Sequence, residues 1–221
     1  MASRYKWYIC EISTDIESLC KRLMSKKFYS EEGSWFKLVD DGNSRTMRFY
    51  WTVQVSTTSF NVNGDELPQK YSLVSYQEFT LMKIRNKVFL RLKNPGRNTN
   101  GLFNVFEKIS GYGFWIEPIS VIDWASSKVQ NVVDSCKLTG LKVTNMAVGP
   151  KVVGRFEFAS KDGIDNDLLS VYLKKPHVVD YCSYEILYKN VRGQVIFYRT
   201  GQVKISEQLA PLLIKTVEEN F

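Results

Sequence analysis

The chain has 221 residues, 44% hydrophobic and 14% aromatic, with 30 Lys and Arg against 23 Asp and Glu for a net charge of +7. That suffices for one large domain or two small ones. No apolar run approaches the ~20 residues that a membrane helix needs, so no membrane is expected, and the excess of basic residues favours an anionic partner. Cys10, Cys20, Cys136 and Cys182 stand apart with no CxxC pair, which argues for reduced, mostly buried thiols rather than a zinc knuckle or redox pair. The opening "MASRYKWYICEIS" lacks an apolar stretch followed by a small-residue cleavage site, so the expectation is an intracellular protein, cytoplasmic or nuclear.

In chain order, residues 4–13 read as a strand and 14–27 as a helix. Thr14 can cap that helix, Glu17 completes a capping-box spacing, and Ile16, Leu19, Leu23 and Met24 share one face. "SWFKLVDDG" and "RTMRFYWTVQV" read as strands around a turn at "DDGN". A polar loop at "NVNGDELPQ" precedes strands 71–84 and 87–93, a hairpin about Arg85-Asn86, where Asn tolerates the positive φ of a tight turn. "NPGRNTNG" is a loop and 101–110 a short helix. Strand 112–120 and a helix at 121–136 follow, then strands near 141–148 and 152–160. The polar loop "SKDGIDND" leads to a strand or short helix around 168–173. A hairpin at 178–199, with a return strand to 205, precedes a last helix, "SEQLAPLLIKTVEENF". Ser206 can cap it, and Pro211 limits or kinks it.

A constant spacing links the halves. Arg85 and Val88 lie 107 residues before Arg192 and Val195, and the same step carries Tyr5, Ile9, Ile12 and Ser13 onto Tyr112, Ile116, Ile119 and Ser120. On this alignment Gly193 takes the turn position of Asn86, an exchange such a turn permits. The matches keep their order, as in a duplicated unit too long for a solenoid repeat. The expected fold is α+β. Two tandem β-α-β-β-β-β-α repeats, residues 1–111 and 112–221, would form a pseudo-twofold antiparallel sheet with helices on one face.

That order, made twice, resembles the tandem repeat of the TATA-box-binding protein family. "FYRTGQVKIS" (197–206) is similar to the family's strand-turn-strand: Phe197, Tyr198, Thr200, Gly201 and Val203 sit at matching places, and Gln202 stands where the family usually has Lys. The first copy, "FLRLKNPGRN", lacks the short Ser/Thr-Gly turn and carries a Pro. The resemblance implies one curved antiparallel sheet with helices on its convex back and nucleic acid beneath.

Catalytic signatures are missing. His177, within "KKPHVVD", is the single histidine, and there is no nucleophile elbow, HExxH or phosphate-binding loop. Asp162, Asp165 and Asp167 miss the calcium-loop spacing. No cofactor or metal is expected. A metal-dependent nuclease built on Glu157, Lys161, Asp162 and Asp165 is one alternative.

The strands offer a basic and aromatic face. Met47, Phe49, Trp51, Val53 and Val55 alternate with Arg48, Tyr50, Thr52 and Gln54, so the first set reads as core and the second as solvent face. Val88, Leu90 and Leu92 likewise alternate with Phe89, Arg91 and Lys93. An exposed Phe between two cations suits base stacking or wedging beside phosphate contacts. Arg155, Ile196, Tyr198 and Lys204 are the counterparts in the second half. The first expectation is a non-enzymatic nucleic-acid-binding protein, with DNA favoured over RNA. Arg48, Arg91, Lys93, Arg155 and Lys204 would meet phosphates, and Tyr50, Phe89, Ile196 and Tyr198 bases or sugars. The other alternative is a protein-interaction subunit or homo-oligomer.

Overall fold

The computed structural model describes residues 1–25, 33–39, 45–96 and 99–221. The turn expected at "DDGN" and the end of the first expected helix lie outside them. Among the described residues the fold is α+β and antiparallel. In chain order its elements are β1 (Ala2–Glu11), α1 (Ile16–Ser25), β2 (Ser34–Leu38), β3 (Thr46–Phe60), β4 (Glu66–Ile84), β5 (Lys87–Lys93), α2 (Asn100–Ser110) and β6 (Trp115–Pro118), followed by α3 (Ile122–Gln130), β7 (Ser135–Gly149), β8 (Val152–Ala159), α4 (Asn166–Tyr172), β9 (Val178–Tyr188), β10 (Val191–Tyr198), β11 (Gln202–Ser206) and α5 (Ala210–Glu218). No helix among the described residues is long and apolar enough to cross a membrane.

Two compact units emerge. The inner one is Cys10–Ile116, and the outer one joins Met1–Ile9 to Glu117–Phe221. This differs from a division at 111/112, because β1 pairs antiparallel with β11, from Ala2↔Ser206 to Lys6↔Gln202. The first strand thus belongs with the last.

In the inner unit the strands run in the order β2-β3-β4-β5. Period-two alternation puts Phe36, Met47, Phe49, Phe79, Leu81, Leu90 and Leu92 in the core, where Leu19 and Leu23 of α1 and Leu102 and Phe106 of α2 are also buried. The Phe106 ring meets Phe79 at 5.4 Å and Phe36 at 6.5 Å. Asp15, not Thr14, caps α1: its carboxylate accepts from the Ser18 backbone N–H at 2.9 Å. Asp competes well for this role, and the buried Thr14 hydroxyl finds no hydrogen-bond partner among the described residues. Met24, expected on the apolar face, is exposed.

β3 and β4 outrun their neighbours. β2 reaches β3 only as far as Trp51, and β5 reaches β4 only as far as Glu78. The nine pairs from Thr52↔Val74 to Phe60↔Glu66 therefore form a two-stranded arm. At ~3.3 Å per residue it is about 30 Å long. Val53 and Val55, expected in the core, lie on it, and Val53 is 37% exposed. The expected loop "NVNGDELPQ" shrinks to a turn at Asn61–Asp65, since Glu66 to Gln69 pair within β4.

In the outer unit the order is β1-β11-β10-β9-β7-β8. Tyr5, Trp7, Val195, Phe197, Val203 and Ile205 form one buried cluster with Ile122, Ala125 and Val129 of α3 and Leu213 and Val217 of α5. Trp7 is fully buried, and its indole N–H donates to Glu218 at 3.0 Å. Pro211 falls in the first turn of α5, where its missing N–H costs nothing. Ser206 makes no cap bond; its hydroxyl accepts from the Gln194 N–H instead.

The 107-residue spacing does not hold through the hairpins. Arg85 (φ 48°) and Asn86 (φ 68°) form the β4–β5 turn as expected. The β9–β10 turn is Lys189 (φ 47°) and Asn190 (φ 65°), so Arg192 and Gly193 lie inside β10. Asn supplies the left-handed conformation three residues before the glycine assigned to it. The outermost strands also differ in order: β2 precedes β3, whereas β8 follows its neighbour β7.

The turn before β11 tests the packing. Gly201 has φ +78°, and a Cβ there would lie 2.4 Å from the Ile119 carbonyl oxygen. Gly64, at the arm turn, has φ +87° and nothing within 4 Å. In chemical denaturation, Gly64→Ala should cost only the left-handed strain of about 1–2 kcal/mol. Gly201→Ala should cost roughly 2–5 kcal/mol, because an overpacking clash adds to that strain.

Candidate nucleic-acid interface

Five of the nine candidate residues fall in the inner unit and four in the outer. In the inner unit Arg48, Glu78 and Lys93 face one another across β3, β4 and β5. Arg48 Nε donates to Glu78 Oε2 at 3.0 Å, and Lys93 Nζ lies 3.5 Å from Glu78 Oε1. The hydrogen bond to Glu78 raises the guanidinium pKa of Arg48, whose charge also sits 4.9 Å from the centre of the Tyr76 ring. Tyr50 stacks on Trp35 at 5.1 Å and meets Tyr76 at 5.8 Å. The result is an aromatic ladder, Trp35–Tyr50–Tyr76, closed by a cation. Arg91 is half-buried and donates to the Thr80 hydroxyl at 3.2 Å.

Phe89 corrects the sequence reading. Its side chain is 3% exposed and Leu90 beside it is 1% exposed. Neighbouring strand residues point to opposite sides, so β5 is covered on both faces at this point. Alternation tells which way Phe89 points but not whether that side is open. Phe89 is a core residue and cannot stack on a base, while Arg48 and Lys93 share one carboxylate. The inner face therefore offers a phosphate backbone less charge than its basic residues imply.

In the outer unit β1, β11, β10 and β9 turn alternate residues away from the helices. Register places Arg4 opposite Lys204, Lys204 opposite Ile196 and Ile196 opposite Ser183. Lys204 and Arg4 are exposed, and Ile196 and Tyr198 half-buried. Tyr198 lies opposite Tyr181, with ring centres 6.0 Å apart. The Tyr181 hydroxyl donates to Glu157 at 2.7 Å, and this bond, with burial second, pushes its pKa up to about 12. Lys6 lies on the same strand face, its pKa lowered by burial. Arg155 is exposed on edge strand β8.

Beside this row is a shallow hollow of about 450 Å³ whose lining includes Thr139, Lys161, Glu185, Arg192, Gln194 and Ser206. Its floor is ordered by side chains: Gln194 Nε2 donates to Ser183 Oγ at 3.0 Å, and Thr139 Oγ1 lies 3.3 Å from the same oxygen. Thr139 reaches this position because β7 slips register between Leu138 and Gly140, as at a β-bulge. Sequence reasoning missed Trp35, Tyr76, Tyr181 and the Thr139–Ser183–Gln194 network. They depend on the register in which strands pair, Trp35↔Tyr50, Tyr50↔Tyr76 and Tyr181↔Tyr198, which alternation within one strand does not give.

The carboxylates of the nuclease alternative do not gather into one metal-holding group among the described residues. Glu157 binds Tyr181, Asp165 caps α4 by accepting from the Asp167 N–H, and no cluster of three or more His, Cys, Asp or Glu among the described residues is placed to hold a metal. His177 is tied by its ring Nδ1 to the Lys175 carbonyl at 2.9 Å. No protein-family model matches the chain, and comparison with curated proteins gives no match either.

Two predictions follow from these contacts. Glu78→Gln should lower stability by about 1–2 kcal/mol, between the values for exposed and buried pairs, and the loss should shrink in 1 M salt. Burial pushes the Cys10 thiol from 9.0 up to about 12, and the Cys182 thiol up to about 11. Their folded pKa values lie above the unfolded one, so this contribution is fully present below about pH 9 and is lost as pH rises toward those values. A thiol reagent at pH 8 should leave both cysteines unlabelled in the folded protein and label them in denaturant.

Proposed function

We propose that this protein binds nucleic acid without catalysing a reaction, and that it does so on the outer unit's open sheet face. The observation that carries this reading is the row Arg4, Lys204 and Ile196, with Tyr198 beside it: two exposed cations lie next to apolar and aromatic side chains on the sheet face opposite the cluster that α3 and α5 join. Cations there would meet phosphates, and the Tyr198 ring would stack on a base. Single-stranded DNA suits this arrangement, because unpaired bases can lie flat on a sheet and stacking needs no particular sequence. Arg155 and the hollow with Lys161 and Arg192 would extend the phosphate track. In this reading the protein works inside the cell, in the cytoplasm or nucleus.

We also infer an ancient duplication of a β-α-β-β-β-β-α unit, and with it kinship to the TATA-box-binding protein family. Support comes from the element order and from the two hairpins, β4–β5 and β9–β10, which turn on two consecutive left-handed residues. Strand insertions and a reordered outer strand would separate the copies.

The test is binding to duplex DNA, single-stranded DNA and RNA across a salt series. Lys204→Ala and Arg4→Ala should each weaken binding for all sequences alike and flatten the salt slope by roughly one unit. Tyr198→Ala should cost about 1–3 kcal/mol of affinity. Phe89→Ala should cost about 3–5 kcal/mol of stability while leaving the affinity of the folded fraction unchanged. Unchanged affinity in a folded Lys204→Ala/Tyr198→Ala protein would remove this face as the site.

A further inference from the structure

The β3–β4 arm is the feature that nucleic-acid binding leaves unexplained. One of its faces continues the core face beyond the helices: Val53 opposite Leu73, Val55 opposite Tyr71 and Ser59 opposite Leu67. Leu67, Tyr71 and Leu73 are 46%, 48% and 55% exposed. A two-stranded ribbon is marginal in water and gains stability from a third strand. The charge does not suit DNA, since residues 52–74 carry Asp65 and Glu66 against Lys70 alone.

The two edges of the arm differ. The β4 edge carries Glu66, Pro68 and Lys70, residues that keep strand edges from pairing with other chains. The β3 edge reads Thr-Val-Gln-Val-Ser-Thr-Thr-Ser over 52–59, with no charge, proline or glycine. Its even-numbered residues direct their backbone groups outward. Thr46 C=O and Thr52 N–H bond to Val39 and Gly33 on that side, whereas Arg45 C=O bonds to Leu81 of β4. The N–H and C=O of Gln54, Ser56 and Thr58 thus point away from β4, and among the described residues no strand meets them.

We propose that the occupant of this edge is a second copy of the same chain, paired β3 to β3 antiparallel about a twofold axis at Ser56. An uncharged strand can face its own copy without like-charge repulsion. Centring on Ser56 sets Gln54 opposite Thr58 and Val55 opposite Thr57, which keeps the apolar stripes of both arms on one side. The outward groups of residues 54, 56 and 58 then satisfy those of the partner. The contact closes at two copies because the outer edges of the resulting four-stranded ribbon are the guarded β4 edges.

The test uses the full chain without nucleic acid. Wild type should sediment at twice its monomer mass at high micromolar concentration and dissociate on dilution. Ser56→Lys sets two ammonium groups against each other across the axis and should give a monomer that unfolds thermally like wild type diluted to its monomeric state. Ser56→Cys should cross-link to a covalent dimer on mild oxidation, whereas wild type, with its own cysteines, and Thr57→Cys should not. A wild-type monomer at that concentration would overturn the proposal. So would a dimer that survives Ser56→Lys, or a folded Ser56→Cys dimer that fails to cross-link. Loss of nucleic-acid binding in the Lys204 and Tyr198 variants with dimerisation intact would separate the two surfaces.

Discussion

The pairing of β1 with β11 is the constraint that organises the outer unit. It brings residue 2 against residue 206 and carries Tyr5 and Trp7 into the centre of the apolar cluster. Without β1 that core would lose its largest fully buried side chain, and the β11 edge would lie open. The same pairing puts Arg4 beside Lys204. Two exposed cations of the proposed interface are therefore set side by side by the β1–β11 contact. The whole inner unit is, in sequence, an insertion between β1 and the remainder of the outer unit.

Much of this was legible in the residues. Alternation identified the buried faces of β3 and β5, and Asn86 marked its hairpin. Ile196, Tyr198 and Lys204 alternate with the buried Val195, Phe197, Val203 and Ile205. The failures share one cause. Period two gives the direction of a side chain, and burial depends on what a distant segment brings to that side. Phe89 shows the error in one sense, since it is covered where exposure was expected. Val53 shows it in the other, on an arm that outruns the helices. Gly193 is a subtler case. Its apparent equivalence to Asn86 followed from sequence matching, but the β9–β10 turn uses Lys189 and Asn190, which precede it. Glycine at 193 has a different reason: a Cβ there would lie 2.7 Å from Leu209 and 2.9 Å from Ser206.

Counting basic residues also overstates what a face can hold. Glu78 takes up the charges of Arg48 and Lys93 within the inner unit, while Tyr76 and Trp35 turn the neighbouring surface into a self-stacked ladder. Such a surface is already satisfied. The outer face is different, since Lys204 is exposed and opposes an apolar side chain. The two sets of candidate residues look alike in sequence and are unlike in what their neighbours leave available.

The pairing of β1 with β11 also has a consequence in time. During synthesis β1 is made well before its partner β11, which begins at Gln202. At roughly 5–20 residues per second, the ribosome needs about 10–40 s to make the intervening chain. Throughout that interval Tyr5 and Trp7 have no β11 to pair with and no α5 to lie beneath. The inner unit, Cys10–Ile116, is made in full during that interval. The outer unit has to wait for β11 and α5. Tyr5 and Trp7 are thus made early and buried late.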